Sequence, residues 1–147
     1  EQKASDERIV RNYKKVKTIT DNAYMIHEVA EQHGSFSQFI ANWPSEDIIG
    51  LWAYLKKHGA RLGGNTGPYA LRALGKDTFL LSRDVESYLR AHRIIDGGLQ
   101  TKKSLSAAQA FFNELQQQSG LSMQELSLIV AYGVGDNRVG ISQQQQD

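Results

Sequence analysis

From Asp6 to His33 the apolar residues Ile9, Val16, Ile19, Ala23, Ile26, Val29 and Ala30 recur at three- and four-residue steps. That spacing lines one face of a helix. Gly34 follows and suits a left-handed C-terminal cap, so the pattern predicts one long helix ending at His33. Ser35 to Ile40 predicts a short helix with Phe36, Phe39 and Ile40 on one face, broken by Trp43-Pro44. Ser45 to His58 predicts another. Ser45 is a favoured N-cap, and Glu46 and Asp47 suit the first turn. Ile48, Ile49, Leu51, Trp52 and Leu55 form its apolar stripe, and Lys56, Lys57 and His58 fill the last turn before Gly59.

The next helix is expected to begin at Thr66 or Gly67, with Pro68 in its first turn. It carries Tyr69, Ala70, Leu71, Ala73 and Leu74 and stops at Gly75. Thr78 to Leu81 is a short apolar segment leading to Ser82, which is placed to cap a helix from Arg83 to Ile95. Asp96-Gly97-Gly98 reads as a turn. Ser104 to Ser119 is helical, with Leu105, Ala108, Phe111, Phe112 and Leu115 inward, and Gly120 separates it from a final helix, Ser122 to Tyr132. From Gly133 the chain reads as a tail whose glutamine run, Gln143 to Gln146, is expected to be disordered. Every predicted element is a helix and the connections are short. The expected fold class is therefore all-α, a compact multi-helix domain over residues 1–135 with a flexible Gln-rich tail over 136–147.

A chain of 147 residues is large enough for one core. No apolar run approaches the roughly 18 residues that cross a membrane, and Glu1 to Lys17 is polar, unlike a signal peptide. The absence of an initiator methionine is expected of a processed or cloned fragment. With no cysteine, disulfides, thiolate chemistry and cysteine-based zinc sites are excluded, which fits a reducing compartment. Charge is unevenly distributed. Residues 48–103 hold ten Lys/Arg against four Asp/Glu, while residues 1–47 hold six against eight and residues 104–147 one against four. A localised basic block is the footprint of a polyanion partner; the alternative is a solvated face with no partner.

Within that block, Gly63 to Pro68 lies between two helical patterns. Glycines allow a backbone to approach a phosphate closely, and the N–H groups opening the following helix point at an anion. Gly63, Gly64, Asn65, Thr66, Gly67 and Pro68 are the candidate phosphate grip, with Lys56, Lys57, Arg61 and Arg72 adding charge. An ordinary loop between two core helices is the other reading, because helix-turn-helix arrangements are common.

The run Leu55-Lys-Lys-His-Gly-Ala-Arg-Leu-Gly-Gly-Asn-Thr66 resembles the hairpin of the helix-hairpin-helix DNA glycosylases, closest to the type I 3-methyladenine DNA glycosylases. In that family a Leu-Lys-Lys helix leads into a Gly-Thr-Thr turn and a helix bearing tyrosine; Gly64, Asn65, Thr66 and Tyr69 stand at those places. Lys17, Ile19, Asn22 and Ala23 match a basic helix upstream. The wider superfamily has Leu-Pro-Gly-x-Gly at the hairpin, and this chain departs from it, with Gly63 at the proline and a longer turn. The resemblance covers roughly Arg8 to Val134 and implies a helix-hairpin-helix DNA-binding motif and removal of a damaged base.

The resemblance also supplies an acid. Ser82-Arg83-Asp84-Val85 stands where the superfamily has Val-Asp-Thr-x-Val, and Arg93-Ile94 matches its later Arg-Leu. Breaking an N-glycosidic bond builds positive charge on the sugar, which a fixed carboxylate stabilises, so Asp84 is the expected catalytic residue; it could also orient or deprotonate water. The alternative is a helix-start residue near the dipole. Bifunctional members carry a lysine where this chain has Tyr69, so the resemblance implies a monofunctional hydrolase without lyase activity. The type I family lacks the superfamily aspartate and uses an acid and aromatics from an N-terminal part, after which this chain is expected to begin. It also closes its fold with a Cys/His zinc site. No cysteine is present and His27, His33, His58 and His92 have no ligand-like spacing, so no metal and no cofactor are expected. Trp43 and Tyr69 are candidates for stacking on an extruded base, and Trp52 is expected in the core. Lys14, Lys15 and Lys17 suit a solvated helix face, with a second phosphate-binding patch as the other reading. The expected partner is double-stranded DNA with a damaged base, bound by a monomer, away from membranes, in the cytoplasm or a nucleus. Two alternatives stand beside this reading: a non-catalytic DNA-binding module and a helical protein-interaction domain.

Overall fold

The computed structural model describes residues 7–144, and the side chains of residues 13–134. Within them the chain is all-α, the class its pattern predicts: α1 (Glu7–His33), α2 (Phe36–Asn42), a 3-10 turn (Ser45–Asp47), α3 (Ile48–His58), α4 (Thr66–Ala73), α5 (Arg83–Ala91), α6 (Lys102–Ser119) and α7 (Met123–Gln144). None of these helices is long and apolar enough to cross a membrane.

Hydroxyl caps set several starts. Ser35 Oγ accepts from the Gln38 amide, Ser82 Oγ from Val85, and Thr101 Oγ1 from Ser104. The Thr101 cap starts α6 two residues before Ser104. At the other end of α5, Arg93 takes φ 59, so the helix stops at Ala91 rather than Ile95. Ser45 is not the cap of α3. It lies in the 3-10 turn and its hydroxyl donates to the Asp77 carbonyl. The buried Gln109 of α6 serves α3 instead, accepting from the Ile49 amide at 3.1 Å and donating to the Ser45 carbonyl at 3.1 Å.

The inward stripe predicted for α1 is only partly inward. Met25 and Val29 are buried, but Val16, Ile19, Ala23 and Ile26 are exposed. The physical reason is coverage: α1 packs on α2 along its C-terminal part, and periodicity shows which face seeks cover, not how far cover extends. Ile9 lies outside the described side chains. α7 runs through residues read as a tail, as far as Gln144, and residues 145–147 lie outside the described residues.

The core is formed by Ile48, Leu51, Trp52 and Leu55 of α3, Val85 and Leu89 of α5, Ala108 and Phe112 of α6, and Met123, Leu126 and Val130 of α7. Thr78 to Leu81 runs through it without regular structure, and all four residues are buried. Phe79 stacks on Phe112, with ring centroids 4.4 Å apart, and meets Trp52 edge-on at 4.9 Å. A buried irregular segment must find partners for its backbone, and side chains supply them here. Arg72 donates to Thr78 O, Thr78 Oγ1 to Phe79 O, and Asn65 Nδ2 to Leu81 O, while Ser127 Oγ accepts from Leu80 N. Just before this segment, the Asp77 carboxylate accepts from the Met123 and Gln124 amides, both at 3.0 Å, capping α7 from a distance.

Candidate nucleic-acid interface

The turn from α3 to α4 is held at both ends. At its start, Asn22 of α1 donates to the Ala60 carbonyl at 3.1 Å and accepts from the Ala60 amide at 2.6 Å. At its end, Gly67 is buried so tightly that a β-carbon would lie 2.6 Å from Leu62 O. Between them Arg61 and Gly64 have φ 58 and φ 59. Space around Gly64 is open to at least 4 Å. The Thr66 amide donates to Gly63 O and the Tyr69 amide to Asn65 O. Nothing among the described residues accepts from the Gly64 or Asn65 amides.

These facts divide the predicted grip. Gly64 and Thr66 are exposed and Gly63 and Asn65 half-buried, so these four can meet a ligand. Gly67 and Pro68 are buried and act in packing, a correction to the six-residue grip. Asn65 has its side-chain amide on Leu81 O, so only its backbone faces outward chemistry. Arg72 is corrected too. Its guanidinium donates to Thr78 O, its Nε is buried without a partner, and burial pushes its pKa below the ordinary arginine value, partly offset by Tyr69 and Asp77. Its role in the structure is to satisfy the buried segment. Lys56, Lys57 and Arg61 are exposed, and no described acid pairs with them. The Lys56 stem lies along the turn, where a β-carbon on Gly63 would be 3.5 Å from Lys56 Cγ. Lys14, Lys15 and Lys17 are exposed on α1.

Asp84 is half-buried in the first turn of α5, two residues past the Ser82 cap. The Asn65–Leu81 hydrogen bond links that region to the turn. Asp84 lines none of the three described cavities. Trp43 is half-buried, with its indole N–H on Asp47 O at 2.8 Å and its ring against Phe39 and Tyr54. Tyr69 is 54% exposed on α4. Trp52 is in the core, donating to Thr78 Oγ1 at 3.2 Å. Among the described residues, no group of three or more His, Asp and Glu is placed to hold a metal ion.

The largest described cavity, about 530 Å³, opens elsewhere. It lies between Ile49, Trp52, Ala53 and Lys56 of α3, Gly64 of the turn, and Lys102 and Leu105 at the start of α6. Sequence reasoning missed Lys102 and the Asn22 clamp. Lys102-Lys103 at the end of the basic block was the available signal for the first; a polar residue on the α1 stripe between Ile19 and Ile26 was the signal for the second.

Compared with known proteins, the chain matches no family model, no curated protein and no solved structure.

Proposed function

We propose that this protein is a monofunctional DNA glycosylase of the helix-hairpin-helix class, which hydrolyses the N-glycosidic bond of a damaged, alkylated base in duplex DNA. The observation that carries the reading is the turn Gly63 to Thr66. It is open, the Gly64 and Asn65 amides have no acceptor among the described residues, and Lys56, Lys57 and Arg61 around it have no described acid partner. Such a turn suits a backbone phosphate, fixing register without reading sequence. The damaged nucleotide then swings out of the stack. Water replaces the base at the sugar while the Asp84 carboxylate stabilises the developing positive charge, leaving an abasic site. With Tyr69 at the position of the lyase lysine, the strand is not cut. On this reading the protein acts as a monomer in base excision repair, in the cytoplasm or nucleus where genomic DNA is found.

One observation favours a second reading, a non-catalytic helix-hairpin-helix module: Asp84 stands with Glu86 in the acidic first turn of α5 beside the Ser82 cap, where a carboxylate suits the helix dipole. Free-base release from methylated duplex DNA, with Asp84→Asn alongside, separates the two. Release that disappears in the variant supports the enzyme and its acid together. Release that survives removes Asp84 from the chemistry. Salt-sensitive binding with no release from either chain favours the module.

A further inference from the structure

The cavity beside the turn has walls of two kinds. Trp52, Ala53 and Leu105 make it apolar, and Lys56 from α3 and Lys102 from α6 bring two amines. Neither amine has a described acid partner. Asp47 is the one carboxylate of the lining; it lies over Gly50 at the start of α3, at the opposite end of that helix from Lys56. Gly64 of the turn belongs to the same lining, so the cavity is continuous with the proposed phosphate grip. Its volume of about 530 Å³ is within the range that seats small ligands.

We propose that this groove is a second nucleic-acid contact, seating one nucleotide of the DNA strand held at the hairpin. Its phosphate lies between Lys56 and Lys102, and its sugar rests on Ala53 and Leu105, with the largely buried Trp52 flooring the groove. The proposal rests on the DNA-binding reading of the turn and extends the interface from the turn to α6. Charge complementarity identifies the occupant: two amines without an acid partner among the described residues flank apolar walls, which suits a backbone phosphate and its sugar.

The test is equilibrium binding of labelled duplex DNA across a salt series, with folding of each variant checked by thermal melting. Lys102→Gln is expected to weaken binding about five- to tenfold at low salt and to flatten the log–log salt slope by about 0.9, one phosphate contact. Ala53→Trp fills the groove from an exposed helix position and is expected to weaken binding without changing the slope. Lys103→Gln is the control. Lys103 carries the same charge but lies outside the lining, 4.0 Å from Asp96, and is expected to bind as the wild type does. Gly64→Asp reports on the turn. Loss in Gly64→Asp with wild-type binding in Lys102→Gln and Ala53→Trp overturns the groove and leaves the turn standing. Equal losses in Lys102→Gln and Lys103→Gln overturn the groove too, since bulk charge would then account for both. Absence of salt-dependent DNA binding by the wild type overturns the DNA reading, and the groove with it.

Discussion

Asn22 and Ala60, 38 residues apart, are joined by two hydrogen bonds: the Asn22 amide donates to the Ala60 carbonyl, and its carbonyl accepts from the Ala60 amide. A single side chain thus satisfies both backbone groups of the residue at which the chain turns away from α3. Gly59 is packed under the same side chain, where a β-carbon would sit 3.1 Å from Asn22 Oδ1. Asn22→Ala is expected to lower stability by about 2 kcal/mol, because two bonds are lost and partly buried backbone groups are left bare. Asn22→Asp keeps the acceptor and loses the donor, so it should fall between. Urea unfolding gives the energies, and faster exchange of the Ala60 amide locates the effect; an unchanged unfolding midpoint in Asn22→Ala would contradict the clamp.

Gly64 within the proposed grip and Gly67 just beyond it should respond differently. Gly67→Ala pushes a methyl group against Leu62 O in a buried place and is expected to cost about 1–3 kcal/mol. Gly64 has open space, and its constraint is only the left-handed backbone, which asparagine tolerates better than most residues. Gly64→Asn should therefore melt close to the wild type, well above Gly67→Ala. The reverse order would mean that packing at Gly67 is looser than described.

Asp77 caps α7 through the Met123 and Gln124 amides. Asp77→Ala is expected to destabilise the protein by about 1–2 kcal/mol. Hydrogen exchange should quicken first in the opening turn of α7; protection there equal to the wild type would remove Asp77 from the cap.

Lys76 makes a pH prediction. Its side chain is buried and its ammonium donates to the carbonyls of Ala41 and Trp43 at the end of α2. Burial lowers its pKa below the ordinary lysine value, with Asp77 and Glu46 opposing the shift. Between that lowered value and the unfolded value of about 10.4, the unfolded chain binds more protons than the folded one. This group's contribution to stability therefore rises with pH through that window and is flat below it. Across the alkaline range the wild type should gain stability relative to Lys76→Met. Urea midpoints that converge in the opposite sense would refute the sign.

Much of the fold is legible in local sequence. Ser82 before an acidic first turn, Gly34 and Gly120 after their helices, and the stripe of α3 all work over three or four residues, the range on which periodicity and capping act. The parts that were not legible depend on distant partners. Ser45 looks like a cap, but Gln109, 60 residues from Ile49, does that work. Arg72 and Asn65 look like DNA-facing groups, but the irregular segment Thr78–Leu81 needs side-chain partners and takes them. Nothing in the spacing of those residues marks a buried segment with bare carbonyls. The groove was invisible for the same reason: it exists only where α3 and α6 meet, and Lys102 joins Lys56 through tertiary contact alone.

The separation of these polar ties has a kinetic consequence. The bonds that hold the turn after α3 and the start of α3 span 38 residues at Asn22–Ala60, 60 at Gln109–Ile49 and 67 at Asn113–Glu46. Helices close loops of a few residues and form early, whereas ties of this length wait for collapse to bring their ends together. During refolding, helical circular dichroism should recover before the Ala60 amide is protected. A chain that is helical but incompletely assembled would then lack the finished turn from α3 to α4, so on the proposed reading DNA binding and completed folding should arrive together.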